Sequence, residues 1–354
     1  KKALSLRSDY PDAHNNMGNV LQEQGAVEDA IGAYKKALFL KPDYEAARAQ
    51  KLYQQAQACD WAAILEDSHL IFELGTSTKY INPFTVLALE DSPQRHRLRS
   101  ELYARKKCPK QNMQSVARPL QKPDRLRIGY FSADFKEHPV AKLLARVVEN
   151  HDRNQFEIFG YSISKTSESE MRRRLINSFD MFDDVSEMSD KEVALLARQD
   201  KIDIAIDLNG YTENNRAGIF AYRAAPIQVN YLGYPGTMGV DFIDYIIADQ
   251  NLIPNQSQKF YFEKQIFLPN TYMPTDNTRK FSEHAMSRSD VGLPEDSFVF
   301  CCFNNNYKIT PREFDIWMRL LHKVEGSVLW LRRANKVSAK NLIKESRKRN
   351  IDPS

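Results

Sequence analysis

Lys2-Ala3-Leu4-Ser5-Leu6 followed by Asp9-Tyr10 recurs as Lys36-Ala37-Leu38-Phe39-Leu40 followed by Asp43-Tyr44, an offset of 34 residues at every matched position. A fixed period of that size signifies one helix pair per repeat, and it limits the fold sharply, because one pair cannot bury its apolar face without a neighbour. Between the matched segments lie Ala13, Gly18, Ala30, Gly32 and Ala33, small residues where paired helices must come close. Pro42 then stops the second helix, since proline lacks the amide needed to continue it.

The period is that of tetratricopeptide repeats. One complete repeat spans residues 9–42, with the tail of another before it and a helical continuation over 44–58. Such arrays supply a protein-binding groove or a structural cap on the domain that follows, and the sequence leaves both open. Asn15, Asn16 and Asn19 lie along one helical face, as peptide-backbone contacts or as surface residues of the repeat. Residues 60–105 read as mostly helical, interrupted at Pro83 and Pro93, and the basic, polar stretch 106–122 reads as a linker. The expected division is 1–58 repeats, 59–122 helical connector and linker, 123–280 a first α/β unit and 281–354 a second.

The 50 basic and 46 acidic residues leave a net charge of +4, a mixed surface that makes no general case for nucleic acid. A local basic site for phosphates remains compatible with it. Cys59, Cys108 and the adjacent Cys301-Cys302 show no CxxC spacing, which favours a reduced, cytoplasmic setting over a disulfide framework or zinc site. No run approaches the roughly 18 apolar residues of a membrane span, and Lys1-Lys2-Ala3-Leu4 opens no signal-peptide core. The chain begins without methionine inside a helical pattern, so an upstream segment is expected.

From residue 126 onward apolar strands alternate with helical runs. Strands are expected at 126–132, 156–162, 202–208, 227–232 and 244–249, the pattern of a parallel sheet covered by helices. Ligands bind such sheets beyond the carboxyl ends of their strands, and polar or turn-forming residues gather there. His138 precedes Pro139, where it serves either helix-start chemistry or proton transfer. Asp207-Leu208-Asn209-Gly210-Tyr211-Thr212 turns sharply. Leu232-Gly233-Tyr234-Pro235-Gly236-Thr237 is a loop whose backbone can approach a ligand, though it is no dinucleotide fingerprint. A second unit starts near Gly292, with strands at 298–303 and 327–331, helices at 311–322 and 338–349, and the Asn304-Asn305-Asn306-Tyr307-Lys308 loop between. Two strands and two helices are too few to close a core of their own, so a C-terminal truncation is expected.

Taken in order, the repeat, Asp134-Phe135, His138-Pro139, Asn209 to Thr212, Ala225-Pro226-Ile227-Gln228, the 232–237 loop, Asp244 to Asp249 and Asn304 to Ile309 resemble the O-linked N-acetylglucosamine transferases, in particular bacterial relatives, over nearly the whole chain. The resemblance implies tetratricopeptide helices followed by a GT-B glycosyltransferase with two Rossmann-like lobes, the second incomplete here. It implies an inverting enzyme without metal or other cofactor, with UDP-N-acetylglucosamine as donor and acceptor proteins or peptides guided by the tetratricopeptide groove. Nucleic-acid and membrane partners are not implied. By position, His138 lies beside sugar and acceptor as a base candidate, with Asp207 as the alternative. Asn209, Thr212 and Leu232, Gly233, Tyr234, Pro235, Gly236 and Thr237 line the sugar side. Asn305 stands where animal relatives have a glutamine near the nucleotide, Tyr307 packs toward the sugar, Lys308 meets the diphosphate, and Lys142 stands where some relatives have a second histidine. A fixed ammonium at the diphosphate stabilises the departing charge more than the ground state, so Lys308 is the first catalytic candidate. A related asparagine glucosyltransferase and a non-catalytic binding module with a remnant transferase domain are the competing expectations.

Overall fold

The structure, a computed structural model, describes residues 7–77, 79–111, 123–280, 283 and 286–353. It divides into two compact units. One contains Lys1–Ile81, Thr85–Asp91 and Phe281–Ser354, and the other contains Asn82–Phe84 and Ser92–Lys280. The matched Lys2 to Leu6 segment and most of the expected linker, residues 112–122, lie outside the described residues.

In the first unit the repeat forms helices Pro11–Glu23 and Val27–Leu40, joined through Gly25 at φ +72°. Gly18 allows their close approach, since a Cβ there would sit 2.5 Å from the Tyr34 ring. The Tyr34 hydroxyl donates to Asn19 Oδ1 at 2.9 Å and Gln22 Oε1 at 3.2 Å. The asparagines therefore do not share one open face: Asn15 is buried, Asn19 is bonded within the helix pair and Asn16 is exposed. Helix Glu45–Gln57 continues the array, packing Ala47 against Ala30, Tyr34 and Ala37. Pro83 and Pro93, expected as interruptions, instead open elements, the 3₁₀ turn Pro83–Val86 and the helix Pro93–Lys107. Proline suits the first helical turn because its missing N–H has no intrahelical partner there.

The C-terminal segment of the same unit supplies β8 (Val299–Cys302) and β9 (Val328–Leu331), paired in parallel, with helices Pro311–Lys323 and Lys336–Lys348. Its core is completed by residues some 250 positions away. Cys59 and Trp61 join Ile309, Phe314, Met318 and Leu342 in one cluster. Trp61 Nε1 donates to the Ile309 carbonyl at 3.1 Å, its ring lies 5.2 Å from that of Phe314, and the Arg349 guanidinium lies 5.7 Å above it. Asn335 and Asn341 donate to the Gln57 and Ala58 carbonyls at 3.1 and 2.9 Å.

The second unit is a seven-stranded, wholly parallel sheet: β1 (Leu126–Ser132), β2 (Phe156–Ser162), β3 (Met181–Asp184), β4 (Ile204–Asp207), β5 (Ile227–Asn230), β6 (Tyr245–Ala248) and β7 (Lys264–Phe267). Its order is β3-β2-β1-β4-β5-β6-β7. Helices Pro139–Glu149 and Glu170–Ser178 cover one face, burying Leu144, Val148 and Leu175 on Ile128, Ile158 and Ile206. Helix Asp190–Gln199 and the short Gly218–Ala221 helix cover the other, burying Val193, Ala197 and Phe220 on Phe131, Tyr161 and Ala205. The order reverses between β1 and β4, so a switch-point crevice opens at their carboxyl ends.

Candidate functional site

Ser132 and Asp207 end the two strands that flank the reversal, and the loops that follow them are tied by Asn209. Its Oδ1 accepts from Ala133 N at 2.8 Å, while Nδ2 donates to Asp134 Oδ2 at 2.8 Å and Thr212 Oγ1 at 3.2 Å. Asn209 is fully buried, so it fixes the geometry of the rim from below. Thr212 returns its hydroxyl proton to the Asn209 carbonyl at 2.9 Å and keeps partial exposure. Asp207 Oδ1 accepts the Asn209 and Gly210 amides at 2.9 and 3.0 Å, while its buried Oδ2 has no partner. Burial raises this carboxyl to about 6 against the pull of the two amides.

His138 caps the Pro139–Glu149 helix, with Nδ1 accepting from Val140 N at 3.3 Å. The same nitrogen stands 3.7 Å from Asp134 Oδ2, beyond hydrogen-bond reach. A cap acceptor at Nδ1 requires the tautomer with its proton on Nε2. The side chain is about one-third exposed (37 %). Lys142 is engaged by Glu137.

The 232–237 loop begins with a γ-turn: Gly233 N donates to Tyr231 O at 2.9 Å around Leu232, whose φ is +73°. Leucine in that conformation is strained, and such strain gathers at functional loops. Gly233 is required by contact, for a Cβ would lie 2.0 Å from the Leu208 carbonyl. Tyr234 is buried against Tyr211, whose hydroxyl donates to Met238 O at 2.6 Å. Asn230 Nδ2 donates to the Tyr234 and Gly236 carbonyls at 2.9 and 3.2 Å, and Tyr261 donates to Pro235 O at 2.9 Å. Glu263 accepts from Thr237 Oγ1 at 2.7 Å and Met238 N at 2.5 Å, and its burial raises its carboxyl.

Sequence reasoning missed several residues that hold this rim. Asp134 stands in a motif that by itself gives it no role. Asn230 and Glu263 carry no local signal, because their work depends on strand order. Arg172, 5 % exposed, donates to Phe135 O and Ser162 Oγ at 3.1 Å each and to Asp184 Oδ2 at 3.0 Å, bracing the ends of β1, β2 and β3.

In the first unit, Asn305, Tyr307 and Lys308 follow β8. Lys308 is exposed, 5.9 Å from the Tyr307 ring, which leans on Tyr53 at 5.4 Å. An open cavity of about 330 Å³ is lined by Leu87, Ala88, Tyr307, Lys308, Thr310 and Glu313. Asn305 Oδ1 accepts from Arg332 Nη1 at 2.9 Å. Asn306 is buried with neither side-chain amide atom hydrogen-bonded, a costly arrangement for a fold to keep. Among the described residues no three His, Cys, Asp or Glu side chains gather in a metal-binding group, and no helix is long and apolar enough to cross a membrane.

Residues 105–286 and 282–354 match glycosyl transferase family 41, and residues 11–44 match the tetratricopeptide repeat. A probable UDP-N-acetylglucosamine–peptide N-acetylglucosaminyltransferase of Arabidopsis thaliana is 44 % identical over 214 residues, covering 59 % of this chain and 22 % of that protein. The UDP-N-acetylglucosamine–peptide N-acetylglucosaminyltransferase of Caenorhabditis elegans is 27 % identical over 347 residues, covering 66 % of this chain and 30 % of that protein. A solved structure of a mutant Thermobaculum terrenum O-GlcNAc transferase superposes with a TM-score of 0.74 at 25 % identity, covering 99 % of this chain and 68 % of that one. The fold is accordingly a tetratricopeptide segment joined to a GT-B-type glycosyltransferase. The chain spans under a third of the length of these two curated relatives.

Proposed function

The chain belongs to glycosyl transferase family 41, and from that premise we propose that it takes part in transfer of N-acetylglucosamine from UDP-N-acetylglucosamine to serine or threonine hydroxyls of acceptor proteins, with inversion and without a metal ion. The observation that carries this reading is the gathering of Asp134, His138, Asn209 and Thr212 at the carboxyl ends of β1 and β4, where the strand order reverses. Open parallel sheets bind ligands there, and the residues form a braced polar rim. The tetratricopeptide helices are proposed to guide the acceptor protein.

In the transfer, the acceptor oxygen forms a bond to the anomeric carbon as the bond from that carbon to the β-phosphate oxygen breaks. UDP leaves with the electron pair, and the hydroxyl proton passes to a base. Asp207 is 2 % exposed and its bonded oxygen serves the turn, so it reaches an acceptor only if that turn opens. His138 is the better-placed base. Accepting a proton at Nε2 requires the tautomer with hydrogen on Nδ1, which releases the Val140 amide and turns that hydrogen toward Asp134 Oδ2. The carboxylate then stabilises the imidazolium. Lys308, exposed beside Tyr307, supplies the cation for the leaving diphosphate.

Transfer of radiolabelled N-acetylglucosamine from UDP-N-acetylglucosamine to a peptide library tests the reading. Lys308→Ala should lower the rate by about a hundredfold or more. A loss within twofold would remove Lys308 from the reaction. A wild-type chain that binds peptides yet transfers no sugar would support the binding-module alternative.

A further inference from the structure

The strand ends of the first unit hold more cationic chemistry than Lys308. No Asp or Glu occurs in residues 297–312 or 326–344, the spans that carry β8 and β9 with their following loops. Those spans contain Lys308, Arg332, Arg333 and Lys336 at or just beyond the carboxyl ends of the two strands. Among the described residues none of these four pairs with a carboxylate, whereas nearby Arg349 pairs with both Asp315 and Glu345. An exposed guanidinium ordinarily roams through many rotamers. Arg332 is instead oriented by one side-chain bond, from Nη1 to Asn305 Oδ1 at 2.9 Å, on a backbone anchored where its N donates to Cys302 O at 3.4 Å. The oxygen assignment at Asn305 is fixed by chemistry, since a guanidinium can only donate. Asn305 occupies one N–H of the planar fork and leaves the other N–H groups of Arg332 to meet an anion.

We propose that Arg332, positioned by Asn305, is a second diphosphate-binding cation beside Lys308. The proposal rests on the UDP-sugar reading above for the identity of the anion. Asn305 then acts through Arg332, as a positioning residue, and need not touch the nucleotide.

Calorimetric titration of the full 354-residue chain with inorganic pyrophosphate, and separately with UDP, at low ionic strength tests this. Arg332→Gln should weaken pyrophosphate binding at least fivefold, while Lys340→Gln, the same charge removal on the exposed side of a helix, should leave it within 1.5-fold. Asn305→Ala should weaken it two- to threefold, and the double variant should be no weaker than Arg332→Gln alone, because both changes remove one interaction. Arg332→Lys should fall between wild type and Arg332→Gln. Failure of the wild type to bind pyrophosphate, equal losses for Arg332→Gln and Lys340→Gln, or additive losses in the double variant would each overturn the proposal. UDP bound no more tightly than pyrophosphate would sink the nucleotide reading and leave the anion site standing.

Discussion

Burial of the Asp207 carboxyl, with one oxygen on two backbone amides and the other unpartnered, makes stability depend on pH in a definite direction. Its folded value of about 6 exceeds the unfolded value of roughly 3.9, so the folded chain holds this proton more tightly. The contribution is therefore fully present below about pH 4 and is lost as pH rises through about 6. The difference between the two values corresponds to roughly 3 kcal/mol. Asp207→Asn keeps an acceptor for the Asn209 and Gly210 amides and removes the buried charge. It should raise the urea midpoint at pH 7.5 and change it little at pH 4; a lower midpoint at pH 7.5 would contradict this account. At this scale the sequence was legible in kind and not in role. The polar residues at the strand ends were visible as a set, but whether Asn209 faces outward or ties two loops together depends on β1 and β4 being neighbours. His138 shows the same limit: its proline neighbour announces a helix start, and the Asp134 carboxylate close to its ring becomes evident only in three dimensions.

Among the strands, β1 and β2 were legible as apolar runs whose last five residues are buried, and β8 and β9 were legible by their apolar runs although Cys301 and Trp330 are exposed. β3, Met181–Asp184, and β7, Lys264–Phe267, escaped notice because they are short edge strands with no buried residue, and Asp183, Asp184 and Lys264 take up much of their four-residue lengths. Charged edges oppose pairing with other chains, and the same charge erases the apolar signal. A second omission has the opposite cause. The two-stranded β8–β9 sheet was expected to be too small to close a core of its own, and what was not foreseen is that Cys59 and Trp61 supply part of that core from a segment read as connector. Nothing local in Cys59-Asp60-Trp61 announces contact with Ile309 or Phe314. Trp61→Ala removes the indole, its bond to Ile309 O and the surface beneath Arg349, which should cost about 3–5 kcal/mol. Amide exchange should accelerate in β8, β9 and the Pro311–Lys323 helix together with the Glu45–Gln57 helix. Acceleration confined to the Glu45–Gln57 helix would show that Trp61 does not bind the two segments into one core.

Across the whole molecule the two units have separate cores: Tyr34, Leu52 and Phe314 belong to clusters of one, Phe131 and Leu144 to clusters of the other. The tryptophans are distributed unequally, because Trp61, Trp317 and Trp330 all fall in the unit that holds Lys308. Tryptophan fluorescence therefore reports that unit alone, while far-ultraviolet circular dichroism reports helices and strands of both. Units with their own cores unfold as separate cooperative steps unless their coupling exceeds the weaker unit's stability. The fluorescence and dichroism transitions in urea should not coincide, and coincident curves with one slope would mean that the chain unfolds as a single cooperative body. The same assay tests where the nucleotide acts. UDP at a hundred times its Kd stabilises the unit that binds it by about 2.7 kcal/mol. If Lys308 holds the diphosphate, saturating UDP should move the tryptophan-detected midpoint upward, and Lys308→Ala should remove most of that shift at equal UDP concentration. A tryptophan midpoint unmoved by UDP, with transfer activity intact, would place the nucleotide's binding energy on residues of the other unit.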